Sequence, residues 1–179
     1  TLAWSPDGQW IASGSDDKTV QIWEAATGKL RLTYASHSNS VKALDWSPDG
    51  CWVASGSWDK TVQIWEATTG KLRRTYTGHS GGVTTLGWSP DGHLIASGSW
   101  SEETVQVWEA ATGKLSLTYT GHSESVHALA WSPDGRLLTS GSYDKTVQVW
   151  EAATGKCLCK YTGHSGWVDA VAWSPDGTR

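Results

Sequence analysis

Histidine, serine and aspartate recur in this chain at a nearly constant spacing, and these three types together can do chemistry. The two complete sets are His37, Ser55 and Asp59, and His122, Ser140 and Asp144. A histidine can activate a serine hydroxyl as a nucleophile while an aspartate orients the histidine. The residue types therefore suggest a hydrolase. However, the chain has no Gly-x-Ser-x-Gly segment, the turn that exposes such a serine in α/β-hydrolases.

Thiol chemistry is the second candidate, at Cys157 and Cys159. Side chains two residues apart on a strand face the same way, but a zinc site needs four ligands, and no second pair lies nearby in sequence. We predict a packed or half-exposed pair on an outer strand, with no metal and no cofactor. Cys51 brings the count to three, which is typical of a reducing compartment. A cytoplasmic location is therefore expected.

Charge and hydropathy exclude several classes of function. The formal net charge is −4, and the 18 acidic and 14 basic residues are interspersed, so we expect no nucleic-acid partner. There is no apolar run long enough to span a membrane and no secretory leader, so we expect no membrane partner. Methionine is absent, and we expect the chain to be a piece of something longer.

The elements that must position these residues come from an internal repeat. The segment Trp-Ser-Pro-Asp-Gly begins at Trp4, Trp46, Trp88, Trp131 and Trp173, once every 42 or 43 residues. This period divides the chain into copies at about 2–43, 44–85, 86–128 and 129–170, with a stub at 171–179. The second and fourth copies agree at 27 of 42 positions. We predict one domain, 1–179, built from repeated units.

Each copy is predicted to contain four short strands. They are exemplified by Val126 to Trp131, Trp52 to Ser57, Thr61 to Trp65 and Leu72 to Tyr76. Short alternating segments between Gly, Pro and Asp turns indicate an all-β fold. A sheet that is apolar on both faces must pack against copies of itself, and stacking in a ring satisfies that need.

The recurring Gly-His, Ser-Pro-Asp-Gly, Ser-Gly-Ser-x-Asp and Trp-Glu segments resemble the WD-repeat β-propeller family over the whole chain. The resemblance implies antiparallel four-stranded blades, four per chain. It also implies a structural hydrogen-bonded tetrad of His, Ser, Asp and Trp in each blade. The matching residues are His37, Ser55, Asp59 and Trp65; His79, Ser97 and Trp108; and His122, Ser140, Asp144 and Trp150. The third copy has an inserted residue and lacks the Asp, so we expect a reshaped loop and a weaker tetrad there.

The two ends of the chain each hold what the other lacks. The first copy has Ser13, Asp17 and Trp23 but no histidine, and the stub has His164. We hypothesise that His164 completes the first tetrad, either within one chain as a four-bladed ring or between two chains as an eight-bladed ring. Because blades of this family close at seven or eight, the homodimer is favoured. Residues 1–8 duplicate the strand of the stub, and we expect residues 1–8 to be displaced.

The copies differ mainly in two segments, which the resemblance places on one rim of the ring. The candidate partner-binding residues are Asp16, Lys42, Trp58, Thr84, Trp100, His127, Tyr143, Trp167 and Asp169. Exposed aromatic side chains in such number are typical of an interaction surface. Drift of unpacked positions among duplicated copies is the alternative explanation.

Asp45 is the single acidic residue at its position in the repeat, since its counterparts are Ala3, Gly87, Ala130 and Ala172. A carboxylate on the innermost strand needs a partner or water. We expect a water-solvated acid that lines the channel, with a ligand contact as the alternative.

The leading functional hypothesis is a non-enzymatic scaffold that self-assembles into a closed propeller and binds an unidentified protein or peptide on its rim. Two alternatives stay open: a glycan-binding or small-molecule-binding propeller, and an excised or designed set of blades whose only activity is self-assembly.

Overall fold

The computed structural model describes residues 1–177, which form sixteen β-strands and no helix. Accordingly, no helix within this range is long and apolar enough to cross a membrane. The strands form four separate antiparallel sheets of four strands each, and every sheet uses strands that are consecutive in sequence. This confirms the predicted all-β architecture of four-stranded blades.

The second, third and fourth blades have the same strand lengths, and the first blade has a shorter first and second strand. The first contains β1 (Leu2–Trp4), β2 (Trp10–Gly14), β3 (Val20–Glu24) and β4 (Leu30–Tyr34). The second contains β5 (Val41–Trp46), β6 (Trp52–Ser57), β7 (Val62–Glu66) and β8 (Leu72–Tyr76). The third contains β9 (Val83–Trp88), β10 (Leu94–Ser99), β11 (Val105–Glu109) and β12 (Leu115–Tyr119). The fourth contains β13 (Val126–Trp131), β14 (Leu137–Ser142), β15 (Val147–Glu151) and β16 (Cys157–Tyr161).

The predicted strands agree closely with the observed ones. Three have the predicted bounds, and β7 starts and ends one residue later. Thr61 belongs to the preceding turn, where its amide and hydroxyl both donate to Asp59. The predicted copy boundaries at 44, 86 and 129 fall inside β5, β9 and β13. Those strands begin earlier because their first residues already pair within their own sheets, as Val41 does with Ser57.

The repeated Ser-Pro-Asp-Gly segment forms the turn between the first and second strands of each blade. In the second blade the Ser47 hydroxyl donates to the Asp49 carboxylate over 2.5 Å, and the same carboxylate accepts the Cys51 amide. Gly50 has a φ of 70°, a left-handed conformation that glycine adopts without steric cost. This turn reverses the chain between the first and second strands of the blade.

The hydrophobic core consists of three layers, one at each junction between consecutive blades. At the middle junction, Val62 and Ile64 of the second blade pack with Val83 and Ile95 of the third, and Trp108 is fully buried among them. Similar clusters lie at the first and last junctions. Consecutive blades therefore stack face to face.

The outward faces of the first and fourth blades are open. Trp4 is 56% exposed and Tyr161 is 54% exposed, whereas Trp46 is 6% and Tyr119 is 4% exposed. Within one chain the four blades thus form an open stack with two uncovered faces.

Candidate functional site

The tetrad of the second blade is a continuous chain of hydrogen bonds. His37 Nδ1 lies 2.8 Å from Asp59 Oδ2, and His37 Nε2 lies 2.8 Å from Ser55 Oγ. The indole N–H of Trp65 donates to Ser55 Oγ over 3.1 Å. His37 follows β4 of the first blade, so this chain of bonds ties two blades together.

The fourth blade repeats this geometry. His122 lies 2.8 Å from Asp144 and 2.7 Å from Ser140, and Trp150 donates to Ser140 over 3.1 Å. Burial lowers the pKa of His122, although the neighbouring Asp144 opposes this shift. Burial acts to raise the pKa of Asp144, but hydrogen bonds from Thr146 and His122 outweigh it and leave that pKa lowered. Ser140 and Trp150 are fully buried, so this hydroxyl is enclosed within the blade.

The third blade differs from the expectation of a lost acidic position. Glu102 occupies it, with Oε2 at 2.7 Å from His79 Nδ1, while His79 Nε2 lies 2.8 Å from Ser97. Trp108 donates to Ser97 over 3.0 Å, which completes the tetrad. Burial opposes ionisation, but hydrogen bonds from His79, Ser80 and Ser99 lower the pKa of Glu102 well below its usual range.

The side chain of Glu102 has one more methylene than aspartate. This extra length lets the carboxylate reach His79 despite the inserted residue. The prediction of a weaker tetrad in the third blade is therefore wrong, because its hydrogen bonds are as short as those of the other tetrads.

The first blade holds a partial tetrad. Trp23 donates to Ser13 over 3.2 Å, and Asp17 bonds only within its own loop, to Ser15 and Thr19. His164 is exposed and contacts Tyr161 edge-on at 5.3 Å. In the part of the chain that the structure describes, no hydrogen bond joins His164 to Ser13 or Asp17. A four-bladed ring within one chain is therefore not formed, and β1 is not displaced but pairs with β2.

The variable segments meet at one rim, where the loop after the second strand bonds to the segment before the first. The Trp58 amide donates to the Ser40 carbonyl over 2.9 Å, and the Trp100 amide donates to the Gly82 carbonyl over 2.7 Å. The Tyr143 amide donates in the same way to the Ser125 carbonyl over 3.0 Å. These main-chain bonds place the candidate rim residues side by side.

Four of the rim residues form a continuous aromatic cluster. Tyr143 is stacked between His127, at 3.8 Å, and Trp167, at 4.1 Å. Trp100 meets His127 and Tyr143 edge-on, at 5.6 and 5.8 Å. Trp100 is 47% and Trp167 64% exposed, so the cluster presents aromatic faces to the solvent.

A cavity of about 260 Å³ separates this cluster from Trp58, and it is lined by Trp58, Trp100, Asn39 and Gly82. Gly82 has no side chain where the corresponding copies have Ser40, Ser125 and Trp167. A Cβ atom at Gly82 would lie 2.8 Å from Trp58 Cδ1. The missing side chain at this junction thus leaves room between two indoles.

Charged and polar rim residues lie beside the aromatic ones. Lys42 Nζ lies 2.6 Å from Asp16 Oδ1 and 4.9 Å from the centre of the Trp58 ring. Thr84 donates its hydroxyl to the Val126 carbonyl over 2.7 Å.

Lys42, Thr84, His127 and Asp169 also line a cavity of about 270 Å³ beside the inner strands. Burial lowers the pKa of His127, while Asp169 opposes the shift. The nine rim residues therefore form two adjoining patches, one aromatic and one facing the inner strands.

Asp45 makes contacts that differ from the expected solvation by water. Its carboxylate accepts the Trp46 amide over 3.0 Å and the Trp88 amide over 2.8 Å, so it links the second and third blades. Burial raises the pKa of Asp45 to about 6, against the effect of these two bonds. The indole nitrogen of Trp88 is buried without a partner, whereas Trp46 and Trp131 donate to carbonyls of the preceding blade.

The candidate metal-ligating and thiol side chains lie apart from one another or on the surface. Among residues 1–177, no group of three or more His, Cys, Asp or Glu side chains is placed to hold a metal ion. Cys157 and Cys159 are exposed free thiols on β16, as is Cys51 on its turn.

Tyrosine and glutamine form a blade-to-blade contact that the sequence analysis missed. Tyr34 donates to Gln63 over 2.6 Å and stacks on Trp65 at 4.5 Å. The same pair recurs as Tyr76 with Gln106 and Tyr119 with Gln148. Its signal in the sequence was the recurrence of both residue types once per copy.

Sequence comparison agrees with the geometry of the blades. The family model described as "WD domain, G-beta repeat" (WD40) matches residues 1–24, 28–66, 70–109, 113–151 and 155–179. These matches cover almost the entire chain. The chain belongs to the WD40-repeat family.

Curated relatives of this WD40 chain match over single-repeat lengths. The chain is similar to the pre-mRNA-splicing factor PRP46 of Yarrowia lipolytica, at 68% identity over 28 residues, 16% of this chain and 6% of that protein. It is 46% identical to the transcriptional repressor rco-1 of Neurospora crassa over 41 residues, 23% of this chain and 7% of that protein. Periodic tryptophan protein 2 of Arabidopsis thaliana is 40% identical over 43 residues, 24% of this chain and 5% of that protein. The matched segments thus span under a tenth of these relatives.

Proposed function

We propose that this WD40 chain is a non-enzymatic scaffold that self-assembles into a closed propeller and binds a protein or peptide on its rim. The aromatic rim carries this proposal. Trp58, Trp100 and Trp167 are each about half exposed or more, whereas the tetrad indoles of Trp65, Trp108 and Trp150 are fully buried. Tryptophan and tyrosine dominate the energetics of protein interfaces, because they bury large areas with few rotamers to fix.

The burial of the tetrads supports a scaffold over a hydrolase. Ser55, Ser97 and Ser140 are fully buried, and each bonds to a histidine and to an indole N–H. A nucleophile has to reach its substrate, and these hydroxyls are enclosed within the blades. Their role in the proposal is to hold the rim loops in place.

The open outer faces support the self-assembly part of the proposal. Exposed sheet faces that carry Trp4 and Tyr161 leave apolar surface in water, and a homodimer covers them. A closed eight-bladed ring of two copies is the assembly we propose.

The cytoplasm is proposed as the location. Three exposed free thiols are compatible with a reducing compartment, but the location stays a prediction. The names of the relatives do not select a partner, because the matched segments are so small a part of them.

The rim proposal is tested with a displayed random-peptide library selected on the parent chain. Recovered peptides are expected to bind Trp58→Ala, Trp100→Ala and Trp167→Ala at least tenfold more weakly, the loss that truncating a hot-spot residue produces. Leu115→Ala is the matched control, because Leu115 is 46% exposed but lies on the outer strand β12. Circular dichroism checks that each variant is folded.

Two results would contradict rim binding. One is peptide affinity that all three tryptophan variants retain. The other is a selection that recovers no peptide while an array of glycans binds the parent chain, which would favour the glycan-binding alternative.

A further inference from the structure

The three junctions inside the chain define what one blade needs from the next. At each junction a tyrosine of the outer strand donates to a glutamine of the following blade over 2.5–2.6 Å. The same tyrosine stacks on the tetrad tryptophan of that blade, at 4.3–4.5 Å. A histidine three residues later enters the tetrad. Every junction therefore requires Tyr and His from one side, and Gln, Ser and Trp from the other.

The two open faces carry the two halves of this set. Tyr161 and His164 lie on the fourth blade, and both are exposed. Gln21 and Trp23 lie on the first blade, where Gln21 is exposed and Trp23 half-buried. Their counterparts inside the chain are buried, as Tyr119 and Gln148 are at 4% and 1% exposure. The faces are complementary residue for residue.

Residues 168–173, which include the start of the stub, lie against the fourth blade where the first strand of a following blade would lie. Trp173 donates its indole N–H to the Ala130 carbonyl over 3.1 Å, just as Trp131 donates to Gly87 over 3.0 Å. The Val168 amide donates to the Ser142 carbonyl, and Val168 is 5% exposed. Yet residues 168–173 form no strand. They are docked on the fourth blade and have no second strand to pair with.

The strand β1 holds the matching place in the first blade less firmly. It has three residues, whereas β5, β9 and β13 have six. Leu2 is 63% and Trp4 56% exposed, because no blade precedes them. The segments Leu2-Ala3-Trp4 and Val171-Ala172-Trp173 are nearly the same sequence. Either one therefore fits the edge of β2.

We infer that a second copy of this chain closes the ring by strand exchange. Residues 168–173 of each copy displace β1 of the other copy and pair with its β2. His164 and Tyr161 then complete the first blade of the other copy, which is incomplete alone. This inference rests on the self-assembly proposed above and specifies which strand closes the ring.

We expect the stub to replace β1, because the stub loses none of its own contacts in the exchange. It retains its contacts with the fourth blade and gains a ladder of hydrogen bonds to β2. Displaced β1 loses its short pairing with β2, the packing of Ala3 on the core of the first junction and the Trp46 indole bond to the Ala3 carbonyl. The carbonyl of Ala172 takes over that bond.

The same substitution at two equivalent positions tests the exchange. Ala3→Pro and Ala172→Pro each remove an amide donor, and proline does not fit a ladder position that donates. Bonds at Thr1–Gly14 and Ser5–Trp10 flank Ala3, so alternation makes it a bonded position. Ala172 lies outside any strand in the single chain, so Ala172→Pro leaves the four blades intact.

Light scattering on a sizing column gives the mass over a range of concentrations. The parent chain and Ala3→Pro are expected at about twice the chain mass of 19.3 kDa. Ala172→Pro is expected to elute as a single chain, or to need at least tenfold more protein to dimerise.

Each other outcome overturns a defined part of the proposal. A dimeric Ala172→Pro, whatever the state of Ala3→Pro, overturns the exchange and leaves the dimer itself standing. A parent chain that stays single at every concentration overturns self-assembly, while the rim test stands apart. Masses that keep growing with concentration overturn two-fold closure.

Discussion

At the scale of single residues, Asp45 is a position where this chain departs from its own repeat. The other copies have alanine or glycine there, while the carboxylate of Asp45 reaches two backbone amides of adjacent blades. Burial raises its pKa to about 6. Folding therefore makes this carboxyl group hold its proton more tightly than the unfolded chain does.

Asp45→Asn is expected to change how stability depends on pH. In the parent, the contribution of Asp45 is complete below the unfolded pKa of 3.8 and is lost as the pH rises through about 6. The asparagine keeps an acceptor and carries no charge, so the variant should be more stable at pH 7 by on the order of 1–3 kcal/mol. Urea unfolding between pH 4 and 7 measures this difference.

Asp45→Ala removes both the charge and the hydrogen-bond acceptor, whereas Asp45→Asn removes only the charge, so the two variants together separate these effects. Alanine is tolerated at this position of the repeat, because the fourth copy has Ala130 there. Both variants should lose the pH dependence between 4 and 6. A parent chain whose stability is level over that range would contradict the argument.

At the scale of the elements, the tetrad serine adds side-chain hydrogen bonds between a rim loop and two strands that already pair through their backbones. Ser55 on β6 bonds to His37 of the preceding loop and to Trp65 on β7. All three side chains are buried, so the loss of one partner leaves the other two polar atoms without water. The tetrad therefore fixes the rim loop against the sheet.

Ser55→Ala is expected to lower the free energy of unfolding by about 1–3 kcal/mol, the cost of unsatisfied buried polar groups. Ser38→Ala is the control, because Ser38 is exposed next to His37 and only its amide is hydrogen-bonded, to Asp59. The control should stay within about 0.5 kcal/mol of the parent, as surface substitutions do. Equal losses in the two variants would show that the buried bonds contribute nothing specific.

At the scale of the whole molecule, four blades stack into an open arc whose ends match each other. His164 is exposed in the single chain, whereas His37, His79 and His122 are buried in tetrads. His164 lies beside the exposed Tyr161 on the outward face of the fourth blade. Its partner in the proposed ring is the first blade of a second copy.

His164→Ala is expected to weaken the dimer at least tenfold while leaving the stability of the single chain unchanged. Within residues 1–177 the imidazole contacts the Tyr161 ring but makes no hydrogen bond. In the proposed ring it bonds to a serine and a carboxylate, and such bonds contribute about 1.5–3 kcal/mol. His93→Ala is the matched control, because His93 is exposed on a turn away from both faces. Sedimentation equilibrium measures both variants, and equal dimer affinities would rule out the role of His164.

The sequence by itself determined the repeat, the strands and two complete tetrads. A fixed period of 42 or 43 residues makes every copy meet its neighbour in the same way, so residues at equal positions have equal partners. For that reason Ser55 and Ser140, 85 positions apart, have the same contacts. Where the period holds, position in the repeat is enough to predict the role of a residue.

Only the tertiary structure decided which contacts form at the positions where the period is broken. Glu102 fills a position one residue out of register because a longer side chain spans the gap, and Asp45 bonds to amides of two blades. The cavity beside Gly82 and the stacking of Tyr143 depend on how far loops of adjacent blades reach. The open faces depend on which strands find partners within one chain. These are distances between units, and a repeating sequence specifies the unit but not the contacts of its exceptions.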